Sequence, residues 1–130
     1  VALVAIDGYN WGANAAWGWQ SFNTIFGEAY CALAAGTSKS ILIAEIASTE
    51  KGGDKAAWIE DMYAGIAARE RVRGFVWFHD AKYEVEIHGA MDWPVDSSPT
   101  ALQAYSQAAK RLQDGESSDG PGTTEAKSPC

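Results

Sequence analysis

Basic residues are scarce in this 130-residue chain: 10 Lys and Arg stand against 17 Asp and Glu, a formal net charge of −7. A phosphate backbone needs a basic face, and a chain with a pI near 4.7 has none to offer, so no nucleic-acid partner is expected. Cysteine is nearly absent. Cys31 in an apolar helical pattern and Cys130 at the last position make neither a disulfide framework nor a zinc site by their spacing. No apolar run approaches the roughly 20 residues of a membrane-spanning helix, so no membrane partner is expected either. The opening VALVAIDGYN has no basic segment before an apolar stretch, and no signal peptide is visible in it. Nucleotide fingerprints and a G-x-S-x-G elbow are missing, and Gly52-Gly53-Asp54-Lys55 reads as a turn and N-cap rather than a phosphate loop. His79 and His88, with Asp80 and Asp92, are too loosely spaced for a metal site. No cofactor and no metal are expected.

What the chain has in excess is tryptophan, six residues, with five Tyr and four Phe. Trp11, Trp17, Trp19 and Trp93 fall in polar or Gly-rich stretches, where core packing is not the obvious role. Aromatic faces above acidic side chains suit a sugar cleft, because pyranose C–H groups pack on a π-face.

Three short apolar runs, Ala2–Ile6, Ile41–Ala44 and Gly74–Phe78, read as buried strands. Each is followed by a helical pattern with its own start signal: Ser21, Asp54, and Ser98 ahead of Pro99. The order βα, βα, βα predicts an α/β fold with a parallel sheet and right-handed crossovers. Strands apolar throughout would need cover on both faces, yet three such units place all their helices on one. Closing the sheet into a (β/α)8 barrel solves this but takes about 250 residues, so the expectation is a partial TIM barrel over residues 1–113. Residues 114–130, rich in Ser, Gly, Pro and Thr, read as a flexible tail or linker.

In such a barrel the active site lies at the strand C-termini. Those positions hold Asp7, Tyr9, Asn10 and Trp11 after the first strand, Glu45 after the second, and Trp77, His79 and Asp80 at the third. Glu45 is the strongest candidate, since an acid at the mouth of a buried strand is costly without partners or a job. Tyr9 is placed to hydrogen-bond a carboxylate on the neighbouring strand, and otherwise packs beneath the loop. Asp7 followed by Gly8 is also ordinary turn chemistry. Trp77 either floors a sugar site or fills the core, because it alternates with Phe78.

Taken together, Ile6-Asp7-Gly8-Tyr9-Asn10-Trp11, Trp19-Gln20-Ser21-Phe22, Ile43-Ala44-Glu45, Gly52-Gly53-Asp54-Lys55-Ala56-Ala57-Trp58-Ile59, Val76-Trp77-Phe78 and Asp96-Ser97-Ser98 resemble, in unbroken order, the C-terminal part of glycoside hydrolase family 26. That family comprises β-mannanase-like retaining enzymes. The resemblance implies that the strands are the sixth to eighth of the barrel. It assigns Glu45 as nucleophile and Tyr9 as the residue that orients it, with Trp77, Trp11, Trp93 and Asn10 toward substrate. The substrate it implies is a β-linked polysaccharide, mannan first and β-glucan second, and the enzyme is expected to be secreted. A retaining mechanism uses two carboxyl groups about 5–5.5 Å apart. The family's acid/base glutamate lies on a strand not in this chain, so the chain should need the missing N-terminal part of the barrel and be inactive alone. The alternative is a non-catalytic carbohydrate-binding half-barrel.

Overall fold

The computed structural model describes residues 2–115 and 129–130. Three βα units follow one another: β1 (Leu3–Asn10) and α1 (Phe22–Gly36), β2 (Ser40–Ser48) and α2 (Lys55–Ala67), β3 (Val72–Trp77) and α3 (Pro99–Gln113). The strands pair in parallel in the order β1-β2-β3. Between β3 and α3 the chain folds back as a small antiparallel ribbon, β4 (Tyr83–Glu84) and β5 (Gly89–Ala90).

The helices start where the sequence says they must. The Ser21, Asp54 and Ser98 side chains accept from the amides of Thr24, Ala57 and Ala101, each satisfying an orphan first-turn N–H. Pro99 opens α3 with a φ already suited to a helix. Helix α1 lies close on β1 because Gly8 leaves room. A Cβ there would come within 2.4 Å of the Ile25 side chain and 2.7 Å of the Phe26 ring.

The core lies between sheet and helices. Ile43 and Ile46 from β2 meet Phe22 and Phe26 from α1, and Trp58, Ile59 and Met62 from α2. Phe75 and Trp77 of β3 stack edge-on against Tyr63 of α2, Trp58 and Tyr105 of α3.

This is not the arc of a barrel. Among the described residues the sheet is open, with β1 and β3 both as edges, and a separate two-stranded antiparallel ribbon stands beside it. The difference lies at the bare face of the sheet. Along β1, Leu3, Ala5 and Asp7 are exposed while Val4 and Ile6 are half-buried, so the strand alternates instead of being apolar on both sides. Much of the uncovered face is small or charged: Ala5, Asp7, Ala44, Glu45 and Gly74, with Leu3, Leu42 and Val76 as the larger apolar groups. Such a surface tolerates water without a closing sheet. The tail expected over residues 114–130 lies largely outside the described residues. Cys130, however, is described, and it is disulfide-bonded to Cys31. Two widely spaced cysteines therefore do form a bridge here, a pairing that spacing alone does not signal.

Candidate active site

The strand ends at the helix N-terminal side of the sheet form the site. Both pairings of β2 are irregular there. Ile6 pairs with Ile43 and Asp7 with Glu45, skipping Ala44; on the other edge Ile43 pairs with Phe75 and Ile46 with Trp77. An extra residue in one strand bends it and re-aims a side chain. Here it turns Glu45 out to the exposed side between the buried Ile43 and Ile46.

The Tyr9 hydroxyl donates a short hydrogen bond to Glu45 Oε2. Burial raises the phenol well above its ordinary value. The hydrogen bond to Glu45 and the negative charges of Glu45, Asp7 and Glu84 push it the same way. Tyr9 is therefore a permanent donor, fixing one carboxylate oxygen and leaving the other free.

Around this pair lies a cleft of about 740 Å³. One wall is aromatic: Trp11 lines it and Trp17 stands at the rim, 64% exposed, while Trp93, only 1% exposed, packs behind at 5.1 Å from the Tyr9 ring and 5.0 Å, edge-on, from Trp11. The opposite wall comes from the β4–β5 ribbon, which brings Lys82, Glu84 and Glu86. Lys82 and Glu84 form an ion pair of 3.2 Å. Three carboxylates against one ammonium make the cleft acidic, unsuited to a polyanionic ligand.

Of the residues singled out from the sequence, Tyr9, Trp11, Glu45 and Trp93 line the cleft together. Asn10 does not. It is fully buried beneath it, donating to Ser48 Oγ and accepting from the amides of Gly12 and Gln20, so it shapes the 11–20 loop. Trp77 points to the helix side, with its indole N–H on the Trp93 carbonyl at 2.9 Å, and supports the cleft from below. Asp7 is exposed on the open sheet face. His79 accepts from the Val95 amide and lies 3.6 Å from Asp96. Among the described residues no three His, Cys, Asp or Glu side chains gather as metal ligands. No helix among them is long and apolar enough to cross a membrane.

Sequence reasoning missed the ribbon residues, whose strands of two residues are too short to show a period. It also missed Asp92, which is a pin rather than a plain loop residue: its carboxylate accepts from Thr49 Oγ1 at 2.6 Å and from the Glu50 amide at 2.8 Å. And it missed Lys55. A lysine opening a helix stands against the macrodipole, and that anomaly was a visible signal.

No family profile matches the chain. The chain is similar to endoglucanase H of Acetivibrio thermocellus, 47% identical over 111 residues that cover 83% of this chain. A span of that size takes in β2 and Glu45 wherever it begins. The relationship is to a glycoside hydrolase, and the chain spans only 11% of that relative's length.

Proposed function

We propose that this chain carries the nucleophile side of a retaining glycoside hydrolase of the family 26 type, acting inside β-linked neutral polysaccharide. The observation that carries the reading is the Tyr9–Glu45 pair, a carboxylate held by a permanent donor beside the aromatic wall. The endoglucanase relative favours β-glucan as substrate, ahead of the β-mannan that the resemblance placed first.

In the mechanism, a sugar ring packs on Trp11, which the buried Trp93 backs, while the free Glu45 oxygen attacks the anomeric carbon. The bond to the leaving oxygen breaks as a second carboxyl group protonates it, giving a glycosyl ester on Glu45. Water, deprotonated by that second group, then releases the sugar with its original configuration. Tyr9 holds Glu45 in line throughout and takes no proton. The second carboxyl group comes from polypeptide outside this chain, so the chain alone does not turn over natural glycan. No cofactor enters these steps. We place the enzyme outside the cell. The Cys31–Cys130 bridge supports this, because such bonds persist in oxidising compartments.

A 2-deoxy-2-fluoro-β-cellobioside with a dinitrophenolate leaving group tests the reading on the chain alone, because that leaving group needs no protonation. Peptide mass spectrometry should find one fluorosugar on Glu45, and a mannosyl counterpart should label more slowly. Labelling of another residue, or of none, overturns the assignment. Binding of cello-oligosaccharide without labelling favours the non-catalytic carbohydrate-binding reading instead.

A further inference from the structure

Lys55 is the most heavily hydrogen-bonded polar side chain among the described residues, yet it does not itself line the cleft. It opens α2, is only 1% exposed, and its Nζ lies 2.6 Å from the Asp92 carbonyl, 2.8 Å from Ser97 Oγ and 2.9 Å from the Pro94 carbonyl. An ammonium has three donors, and these three oxygens account for them. The Trp93 carbonyl, 3.4 Å away, receives the Trp77 indole N–H instead, and the Trp77 ring sits 5.7 Å below the ammonium. Ser97 Oγ, accepting from Lys55, passes its own proton to Glu50 Oε1 at 2.8 Å. The single cation thus gathers the 92–97 loop and ties it to the end of β2.

The location is expensive for a charge. A buried ammonium loses its hydration, and at the first turn of a helix it also faces the positive end of the dipole. Its direct partners are neutral oxygens, so Coulomb attraction to a contacting carboxylate does not offset this. A buried methionine would fill the same space without those costs. What the methionine could not do is satisfy two inward-turned backbone carbonyls and fix the residue between them, which is Trp93.

We infer that Lys55 is a positioning residue for the glycan cleft, its ammonium clasping the 92–97 loop so that the buried Trp93 ring backs Tyr9 and Trp11 beside Glu45. The binding part of this inference rests on the glycosidase reading of the cleft; the clasp itself does not.

Titration offers a probe. The charged groups around Lys55 are Asp92 and Asp96 from the 92–97 loop and Glu50 from the β2–α2 turn. Burial lowers its value to about 8, against the pull of those three carboxylates. Between about 8 and the ordinary 10.5 the folded chain binds fewer protons than the unfolded one, so this group's contribution to global stability rises with pH across that window. The closed loop therefore tolerates the neutral amine better than the ammonium, and raising the pH does not open it.

The experiment measures near-ultraviolet circular dichroism and cellotetraose affinity of the full chain at pH 7, and the thermal midpoint from pH 7 to 10, in wild type and Lys55→Met. Lys55→Met should bind about tenfold more weakly and lose part of the near-ultraviolet signal with helix content unchanged. Wild type should keep both from pH 7 to 10, and its midpoint should gain on that of the variant as the pH rises. A variant that matches wild type in binding and near-ultraviolet signal overturns the inference, and so does a wild type that loses both near pH 8. If Lys55→Met does not fold, Ser97→Ala, which removes one of the three oxygens, decides, and an unchanged near-ultraviolet signal in it refutes the clasp. If wild type binds no cellotetraose, the glycan reading fails, while the loss of near-ultraviolet signal in the variant still establishes the clasp.

Discussion

Glu45→Gln in the complete enzyme should lower kcat by about 10⁴-fold or more while leaving KM and the melting temperature near their original values. Glutamine keeps the shape and can still accept from Tyr9, and Glu45 is exposed, so nothing in the packing changes. What disappears is the anionic oxygen that the proposed mechanism uses as nucleophile. Glu45→Ala goes further by opening a space on that side of the sugar. Azide entering it should restore turnover and give a glycosyl azide of inverted configuration, because one displacement replaces two. Tyr9→Phe provides the graded control. A hydrogen bond to a charged group contributes about 1.5–3 kcal/mol, so removing it should lower kcat/KM roughly 10- to 100-fold with the chemistry intact. Activity unchanged in Glu45→Gln would place the nucleophile elsewhere. Activity unchanged in Tyr9→Phe would reduce the pair to a packing contact.

The parts of this molecule that were legible in its sequence are those decided within a few residues. Ser21, Asp54 and Ser98 cap the helices because a capping side chain reaches only three residues ahead. The strands were seen but read short. Asp7-Gly8 looks like a turn, and Glu45 looks like a stop, yet β1 runs on to Asn10 and β2 to Ser48, because parallel partners far along the chain hold them extended. Register was invisible. The skipped Ala44 decides that Glu45 faces the cleft, and strand alternation decides that Asn10 and Trp77 lie beneath it. Tyr9 and Glu45, 36 residues apart, were brought together by their places at neighbouring strand mouths, and the resemblance then gave them roles; no local signal joins them. The barrel expectation takes all three strands as apolar on both faces, whereas the open face carries Ala5, Asp7, Ala44, Glu45 and Gly74. Lys55 was passed over as a residue after an N-cap, although a cation in the first turn of a helix opposes its dipole.

The cysteine pair is a harder case, since two residues 99 positions apart carry no pattern, and it leads to the second large effect. In the chain-entropy picture, closing a loop of about 100 residues removes some 4–5 kcal/mol of freedom from the unfolded ensemble, and measured bridges commonly deliver about 2–4 kcal/mol. Cys31 lies in the second half of α1, well down the helix from its start beside the cleft. The bridge should therefore act on stability and leave the site alone. In the double variant Cys31→Ala, Cys130→Ala, the thermal midpoint should fall by about 10 °C, and reductant should lower the wild-type midpoint to the same value. Cellotetraose affinity at 25 °C should be unchanged in both. A melt indifferent to reductant, or two free thiols titrated in the folded chain under air, would mean that the ends of this loop are not covalently joined in solution. Reduction that weakened sugar binding at a temperature where the chain stays folded would mean that α1 transmits the strap to the cleft, through the close approach of Ile25 and Phe26 to Gly8 on the strand that carries Tyr9.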